Sequence, residues 1–194
     1  MRPFNSYTEG LDLEFLKDYC TTKGELRKFS KGDYFESEGD CSKWIAFVKS
    51  GYFKYLVDNK VSGKQYITGI AFENEFVADY PNCLYHRKSQ VSIVAGIDSE
   101  VYLIKGETLS NMYEQDTMTL RIGKDLGEKL FTQTYTRFLD SYRLDPRGRY
   151  EKLLCRCPHI VQRLSLKEIA SFLNVTPKTI SLIRKEITFG CSKS

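Results

Sequence analysis

The chain has 194 residues, of which 41% are hydrophobic and 28% are charged. This length exceeds one typical domain of roughly 100 to 150 residues, so we expect two domains. No apolar run approaches the roughly 20 residues of a membrane span, and the N-terminus lacks the apolar region of a signal peptide. These features exclude an integral membrane protein and predict a cytoplasmic protein without a membrane partner.

The formal net charge of +4 is unevenly distributed along the chain. Residues 141–194 carry 11 basic and 4 acidic side chains, a net charge of +7, whereas the first 140 residues carry 18 basic and 21 acidic side chains, a net charge of −3. A small basic segment on a mildly acidic body is typical of nucleic-acid binding. A charge excess can also serve solubility or an acidic protein partner, and these alternatives stay open.

The six cysteines do not form a regular framework, and we expect thiols in a reducing compartment. They are Cys20, Cys41, Cys83, Cys155, Cys157 and Cys191. Cys155 and Cys157 are the only close pair, and their single intervening residue differs from zinc-knuckle spacing, so no metal site is predicted.

Short apolar and aromatic runs separated by glycines extend from about residue 26 to residue 105, after a short predicted helix at residues 11–20. This pattern is typical of a compact antiparallel β architecture such as a jelly roll. The predicted strands are residues 25–29, 34–36, 43–49, 52–58, 65–72, 91–97 and 101–105. The glycines between them are Gly32, Gly39, Gly51 and Gly63. Each has a charged or polar neighbour, as hairpin turns require.

A long helical signal follows at residues 118–142, where apolar side chains recur about every four residues. They are Ile122, Leu126, Leu130, Phe131, Tyr135, Phe138, Leu139 and Tyr142. The stripe is wide enough for one edge to cover the β domain and the other to meet a second subunit, with Gly123 and Gly127 permitting close approach. A helix buried wholly within its own subunit is the alternative. Pro146 then breaks the helix and marks a boundary, so we predict segments at residues 1–117, 118–143 and 144–194.

Residues 164–187 predict two short amphipathic helices joined by a tight turn. The first would run over residues 165–173, with Ser165 as N-cap and Glu168 completing a capping box. Its inward positions are Leu166, Ile169, Ala170 and Leu173, and Ala170 is small where the two helices approach closely. Asn174 tolerates the left-handed conformation that the turn needs.

The second helix is capped by Thr176 and begins at Pro177, with Ile180, Ile183 and Ile187 facing inward. Its outward side chains suit phosphates and base edges. The candidate DNA-binding residues are therefore Ser165, Thr176, Pro177, Lys178, Thr179, Ser181, Arg184 and Lys185. The alternative is an ordinary helical hairpin whose basic face is merely solvated.

The order of these elements resembles the Crp/Fnr family of transcription regulators over essentially the whole chain. The residues that carry the resemblance are 164–187, the Asp-Pro-Arg-Gly-Arg-Tyr segment at 145–150, and the glycine turns Lys31-Gly32-Asp33, Glu38-Gly39-Asp40 and Gly51. The resemblance implies an α+β fold with an N-terminal antiparallel β-roll that senses an effector, a long dimerisation helix and a C-terminal all-α helix-turn-helix domain. It also implies a homodimer on a palindromic promoter site, with reading helices one DNA turn, roughly 34 Å, apart. The sequence leaves open whether the bound protein recruits RNA polymerase or blocks it.

Family members that bind cyclic AMP carry a Gly-Glu pair and, about ten residues later, an Arg followed by Ser or Thr. The resemblance places Glu75 at the carboxylate, but Asn74 replaces the glycine, and Ser89 stands near the place of the arginine with Arg87 displaced in register. Thr134 lies where family members touch their ligand on the long helix. The effector-binding candidates are Glu75, Arg87, Ser89 and Thr134. We expect an unknown small effector, or none, and not cyclic AMP.

An iron–sulfur cluster is not expected either. Family members that hold one need several N-terminal cysteines, and Cys20 is the only cysteine near the N-terminus of this sequence. Haem ligation by Cys83 or His86 stays open as an alternative. Tyr66, Phe72, Phe76 and Tyr80 would favour an apolar ligand, or they belong simply to the core.

No enzyme and no catalytic residue are predicted, since a cupin-type metal site needs several histidines and the chain has two, His86 and His159. No pair of nucleophile and base stands out. The alternative function is a ligand-binding or protein-interaction module that no longer reads DNA, because the chain stops soon after Ile187 and has no room for a wing. Pro177 and Leu182 replace arginines of well-known members, so the DNA target should differ from theirs.

Overall fold

The computed structural model describes residues 4–190 and divides them into two compact units. The first, Asn5–Gln133, is called the sheet unit here, and the second, Phe4 with residues 134–190, is called the helical unit. The chain passes from one unit to the other between Phe4 and Asn5 and again between Gln133 and Thr134. Within residues 4–190, no helix is both long and apolar enough to cross a membrane.

The helices and strands follow the predicted order. The helices are α1 (Glu14–Lys23), α2 (Gly106–Gln115), α3 (Thr117–Arg143), α4 (Pro146–Arg156), α5 (Ile160–Arg163), α6 (Leu166–Phe172) and α7 (Pro177–Gly190). The strands are β1 (Glu25–Phe29), β2 (Tyr34–Glu36), β3 (Trp44–Ser50), β4 (Tyr52–Asp58), β5 (Gln65–Phe72), β6 (Phe76–Val77), β7 (Ser92–Ala95) and β8 (Ser99–Lys105). Single 3-10 turns lie at Ser6–Thr8 and Asn82–Leu84.

The strands form two four-stranded sheets in the orders β1-β8-β3-β6 and β2-β7-β4-β5, and every pairing is antiparallel. The aromatic side chains between them form one core. Phe29 of the first sheet lies 6.0 Å from Phe35 and 5.4 Å from Phe53 of the second, measured between ring centroids. The antiparallel β-roll that the sequence predicts is therefore confirmed.

Strand β3 is buried on both faces because its alternate side chains enter two different cores. Ala46 and Val48 point into the core between the sheets. Ile45 and Phe47 point the opposite way and pack with Leu16, Cys20 and Leu109 of helices α1 and α2. The helices thus cover the outer face of the first sheet.

Most predicted strands agree with the structure to within a residue or two, because glycine turns end them. Gly51, for example, has φ of 87°, and a Cβ there would lie 2.1 Å from Ser99 Oγ. Two predictions needed correction: the first helix begins at Glu14 rather than residue 11, and the strand predicted at 91–97 is confined to Ser92–Ala95. Helices α2 and α5 and strand β6 were not predicted.

The helical unit buries Tyr150, Ile160, Ile169, Ala170 and Ile180 almost completely. Helix α4 starts at Pro146, and Asp145 Oδ1 accepts a hydrogen bond from the Gly148 N–H at 2.7 Å as its N-cap. Helix α3 ends at Arg143, just before this cap. The long helix contributes residues to both units, since the division falls after Gln133.

Candidate nucleic-acid interface and effector site

Helix α6 begins with the capping box that the sequence predicts. Ser165 Oγ accepts a hydrogen bond from the Glu168 N–H at 3.3 Å, and the Ser165 N–H donates to Glu168 Oε2 at 2.9 Å. Two of the N–H groups that a helix start leaves unpaired are thereby satisfied. The start of α6 is fixed by its own sequence.

The turn between α6 and α7 also agrees with the prediction. Asn174 has φ of 52°, in the left-handed region. The Val175 N–H donates to the Ala170 carbonyl at 2.9 Å, and Ala170 itself is fully buried. Thr176 Oγ1 accepts a hydrogen bond from the Thr179 N–H at 3.1 Å and caps α7. Pro177 is the first residue of that helix.

Helix α7 has one buried side and one exposed side. Ile180 and Ile183 are buried, and Ile187 is partly buried. Lys178, Ser181, Leu182 and Lys185 are exposed and lie within an arc of about 100° on the opposite side, at helical spacing. We call these four residues the reading face.

Two predicted outward residues lie at the margins of the reading face. Thr179 is only partly exposed, and its Oγ1 lies 2.8 Å from Thr176 Oγ1, so this hydroxyl supports the helix cap. Arg184 is exposed but lies closer to the buried side. Sequence reasoning left Leu182 out of the candidate set, although it exposes 51% of its surface.

Helix α3 carries a second exposed feature, a stripe of aromatic side chains. Phe131, Tyr135, Phe138 and Tyr142 follow each other at spacings of four, three and four residues and expose 48% to 75% of their surfaces. A helix buried wholly within its own subunit is thereby contradicted for this chain. We call these four residues the aromatic stripe.

The two glycines of α3 differ in their surroundings. A Cβ on Gly123 would lie 2.6 Å from the Tyr113 ring, whereas a Cβ on Gly127 would meet nothing within 4 Å among the described residues. Gly123 therefore serves packing against α2 rather than the approach of a second subunit. Only Gly127 stays available for that role.

Glu75 does not face an open site, because residues of the N-terminal segment surround its carboxylate. Glu75 is 3% exposed, and its Oε1 accepts a hydrogen bond from the Asn5 N–H at 2.9 Å. Its Oε2 accepts hydrogen bonds from Asn5 Nδ2 at 2.8 Å and from the Phe72 N–H at 2.9 Å. Asn74, the residue before Glu75, adopts the left-handed conformation, with φ of 65°.

Asn5 is the partner of Glu75 that sequence reasoning missed. Its side chain is 8% exposed, and its Oδ1 accepts a hydrogen bond from Gln133 Nε2 on α3 at 3.0 Å. No local sequence pattern could have revealed it, since a single asparagine near an N-terminus belongs to no periodic hydrophobic pattern and to no motif.

The other effector candidates have different surroundings. Ser89 is buried, and its Oγ lies 2.9 Å from Asp79 Oδ2. Arg87 is exposed, and its guanidinium lies 5.0 Å from the centroid of the Tyr85 ring. Thr134 is exposed on the helical unit. Glu75 and Ser89 are therefore engaged with different partners inside the fold.

The aromatic residues proposed to line a pocket belong to packed clusters. Phe72 packs on Tyr52 with ring centroids 5.6 Å apart, and Phe76 packs on Phe47 at 5.3 Å. Tyr66 and Tyr80 are partly buried. The core interpretation holds for Phe72 and Phe76.

The cysteines are thiols wherever the structure describes them, as predicted, and Cys191 lies outside the described residues. Burial raises the pKa of Cys20 and of Cys83 to about 12, so both thiols stay protonated. His86 is exposed. Within residues 4–190, no three His, Cys, Asp or Glu side chains are grouped as metal ligands.

Neither a protein-family model nor a curated protein matches the sequence. Solved structures do resemble it. FixK2 from Bradyrhizobium japonicum is 17% identical with a TM-score of 0.73, covering 86% of each chain. The c-di-GMP responsive global regulator CLP from Xanthomonas campestris is 16% identical with a TM-score of 0.65, covering 92% of this chain and 93% of its own.

A third structure, named as a transcriptional regulator of the Crp/Fnr family from Eubacterium rectale, is 15% identical with a TM-score of 0.66, covering 96% of this chain and 88% of its own. All three coverages extend over both units. The chain therefore has the fold of the Crp/Fnr regulators.

Proposed function

We propose that the chain is a dimeric, DNA-binding transcription regulator that reads a palindromic site with helix α7. The observation that carries this proposal is the reading face, which is exposed opposite the buried Ile180 and Ile183 on a helix with a defined start. The capping box, the left-handed Asn174 and the buried Ala170 fix the geometry of the helix pair that presents this face.

The side chains of the reading face suit the major groove. Lys178 and Lys185 can neutralise phosphates or donate to guanine O6 and N7, and the Ser181 hydroxyl can meet either. Leu182 can contact the methyl group of thymine. This mixture favours a site that contains thymine where well-known members of the family read guanine.

Dimerisation through the aromatic stripe is the second part of the proposal. Four exposed aromatic side chains on one helix are costly to leave in water, and a second copy of α3 would cover them. A two-fold dimer would place two α7 helices one DNA turn, roughly 34 Å, apart. Residues 1–117 would then form the sensory β-roll, 118–143 the dimerisation helix and 144–194 the DNA-binding domain.

Such a regulator acts in the cytoplasm, where the DNA is, and is not an enzyme. Cyclic AMP and an iron–sulfur cluster are not part of the proposed function. Asn5 already donates to both oxygens of Glu75. RNA polymerase is a proposed partner of the DNA-bound dimer.

Selection of genomic fragments by the purified full chain at near-physiological salt tests this function. We expect enrichment of a palindrome with half-sites one helical turn apart. The double variant Lys178→Ala/Lys185→Ala should lose the enrichment. The matched control is Lys31→Ala/Lys60→Ala, which removes two charges from exposed loops of the sheet unit and should keep the enrichment. Absence of any enriched sequence would overturn the proposal and favour an interaction module.

A further inference from the structure

Asn5 fills a buried polar site with an unusually complete set of partners. Its N–H donates to Glu75 Oε1, its Nδ2 donates to Glu75 Oε2 and to the Ile70 carbonyl, both at 2.8 Å, and its Oδ1 accepts from Gln133. Both donor hydrogens and the acceptor of the side-chain amide are therefore used. A small molecule that donates hydrogen bonds to both Glu75 oxygens would have to displace Asn5.

The residues that follow Asn5 contact helix α3. Gln133 Oε1 accepts hydrogen bonds from Ser6 Oγ at 2.9 Å and from the Tyr7 N–H at 3.2 Å. One turn earlier on the helix, Lys129 Nζ donates to the Glu9 carbonyl at 2.7 Å. Tyr7 is 8% exposed. Residues 5–9 thus connect the loop at Glu75 with two successive turns of the long helix.

The Asn5–Gln133 contact lies at the boundary of the sheet unit. Asn5 is the first residue of the sheet unit and Gln133 is the last, and the chain enters the helical unit beyond each of them. Their hydrogen bond therefore fastens together the two places where the chain leaves the sheet unit.

We propose that residues 5–9 are a built-in ligand of the β-roll, with Asn5 in the place of an effector at Glu75. The segment holds α3 against the roll without any added small molecule. If the chain is the DNA-binding regulator proposed above, on which this inference rests, its DNA binding is independent of a diffusible effector. Weakening the Asn5–Gln133 contact then lowers DNA affinity.

A double-mutant cycle on the full chain tests the proposal. The variants are Asn5→Ala, Gln133→Ala and the double variant, and the matched controls are Asn111→Ala and Gln65→Ala at exposed positions of the sheet unit. Each of the first two should lower the midpoint of thermal unfolding by about 5 °C, because a buried polar group loses its partner. The double variant should lose little more than the larger single shift, and the controls should stay within about 1 °C. Additive shifts of the unfolding midpoint would show that Asn5 and Gln133 do not stabilise each other, and would overturn the proposal.

Two further measurements separate this proposal from the proposed function. Cyclic AMP at about 1 mM should leave the unfolding midpoint of the wild-type protein unchanged, and a rise would overturn occupancy of the site by Asn5. DNA affinity of Asn5→Ala should fall at least about fivefold at fixed salt, with Asn111→Ala unchanged. Equal affinities would overturn the regulatory role. If the wild-type chain bound no DNA, the proposed function would fail, while the thermal cycle and the cyclic AMP measurement would still decide whether Asn5 occupies the site.

Discussion

Lys178 and Lys185 lie two helical turns apart on the same exposed face of α7. Seven residues of helix correspond to about 10.5 Å along its axis. If α7 enters a major groove, the N-terminal lysine lies nearer the base edges and the C-terminal one nearer the phosphates. The two residues should therefore make different contributions to binding.

Lys185→Ala should weaken binding to every DNA sequence by a similar factor and lower the salt slope by about one, since one phosphate contact is lost. The measurement is the association constant for a specific and a random duplex at several salt concentrations. Lys31→Ala, an equal change of charge on an exposed loop of the sheet unit, is the control. A wild-type salt slope in Lys185→Ala would contradict the phosphate assignment.

Substitutions at Lys178 and Leu182 should change sequence preference rather than the salt slope alone. A bidentate contact to a base edge is worth about 1–3 kcal/mol of discrimination, whereas Leu182 can contribute by apolar contact with a thymine methyl group. Lys178→Ala and Leu182→Ala should therefore each relax the preference at a different base pair. Repeating the fragment selection with each variant measures this. Identical enriched sequences from wild type and both variants would show that these side chains do not read bases.

Ser165→Ala should lower the stability of the helical unit by about 1 kcal/mol, because the cap of α6 loses its acceptor. Thermal unfolding followed by circular dichroism measures the loss. Ser165→Asp keeps an N-cap acceptor but places a carboxylate beside Glu168, whose Oε2 lies 2.8 Å from Ser165 Oγ, so it should restore stability only in part. It should also weaken DNA binding if residue 165 lies near a phosphate. Full DNA affinity in Ser165→Asp would remove Ser165 from the interface.

The residues of α6 and α7 were predictable because the signals there are local. The capping box, the left-handed Asn174 and the buried isoleucines all lie within about two dozen residues. Helix α2 escaped prediction because it has no side-chain cap and Leu109 is its only fully buried apolar side chain. Glu75 was found through the resemblance, but its partner Asn5 was not, since only the tertiary fold brings residue 5 to residue 75 and to residue 133.

Phe138→Glu should convert a dimer into a monomer, because a carboxylate at the centre of the aromatic stripe would be buried without a partner in a helix–helix interface. Sedimentation velocity at micromolar concentration measures the mass of wild type and variant. Thr136→Glu introduces the same charge at an exposed position about 160° away around the helix and should stay dimeric. Equal behaviour of the two variants would contradict dimerisation through this stripe.

Glu36 should make stability depend on pH. Burial raises the pKa of this carboxyl above its usual value, with Asp79 and Asp40 adding to the increase, while hydrogen bonds from Ser42 and Ser89 oppose it. Its Oε2 accepts a hydrogen bond from Ser42 Oγ at 2.9 Å, whereas its buried Oε1 has no hydrogen-bond partner among the described residues.

Because the folded-state pKa of Glu36 lies above the unfolded value, the folded state binds the proton more tightly. The stabilisation from this group is fully present below the unfolded pKa and is lost as pH rises through the folded pKa. Glu36→Gln, which stays neutral, should therefore unfold at a higher temperature than wild type at pH 8 and near the wild-type temperature at pH 4. Thermal unfolding at both pH values measures this difference, with Glu38→Gln at an exposed position as control. If the midpoint difference between Glu36→Gln and wild type did not change with pH, Glu36 would have the same pKa in the folded and the unfolded state.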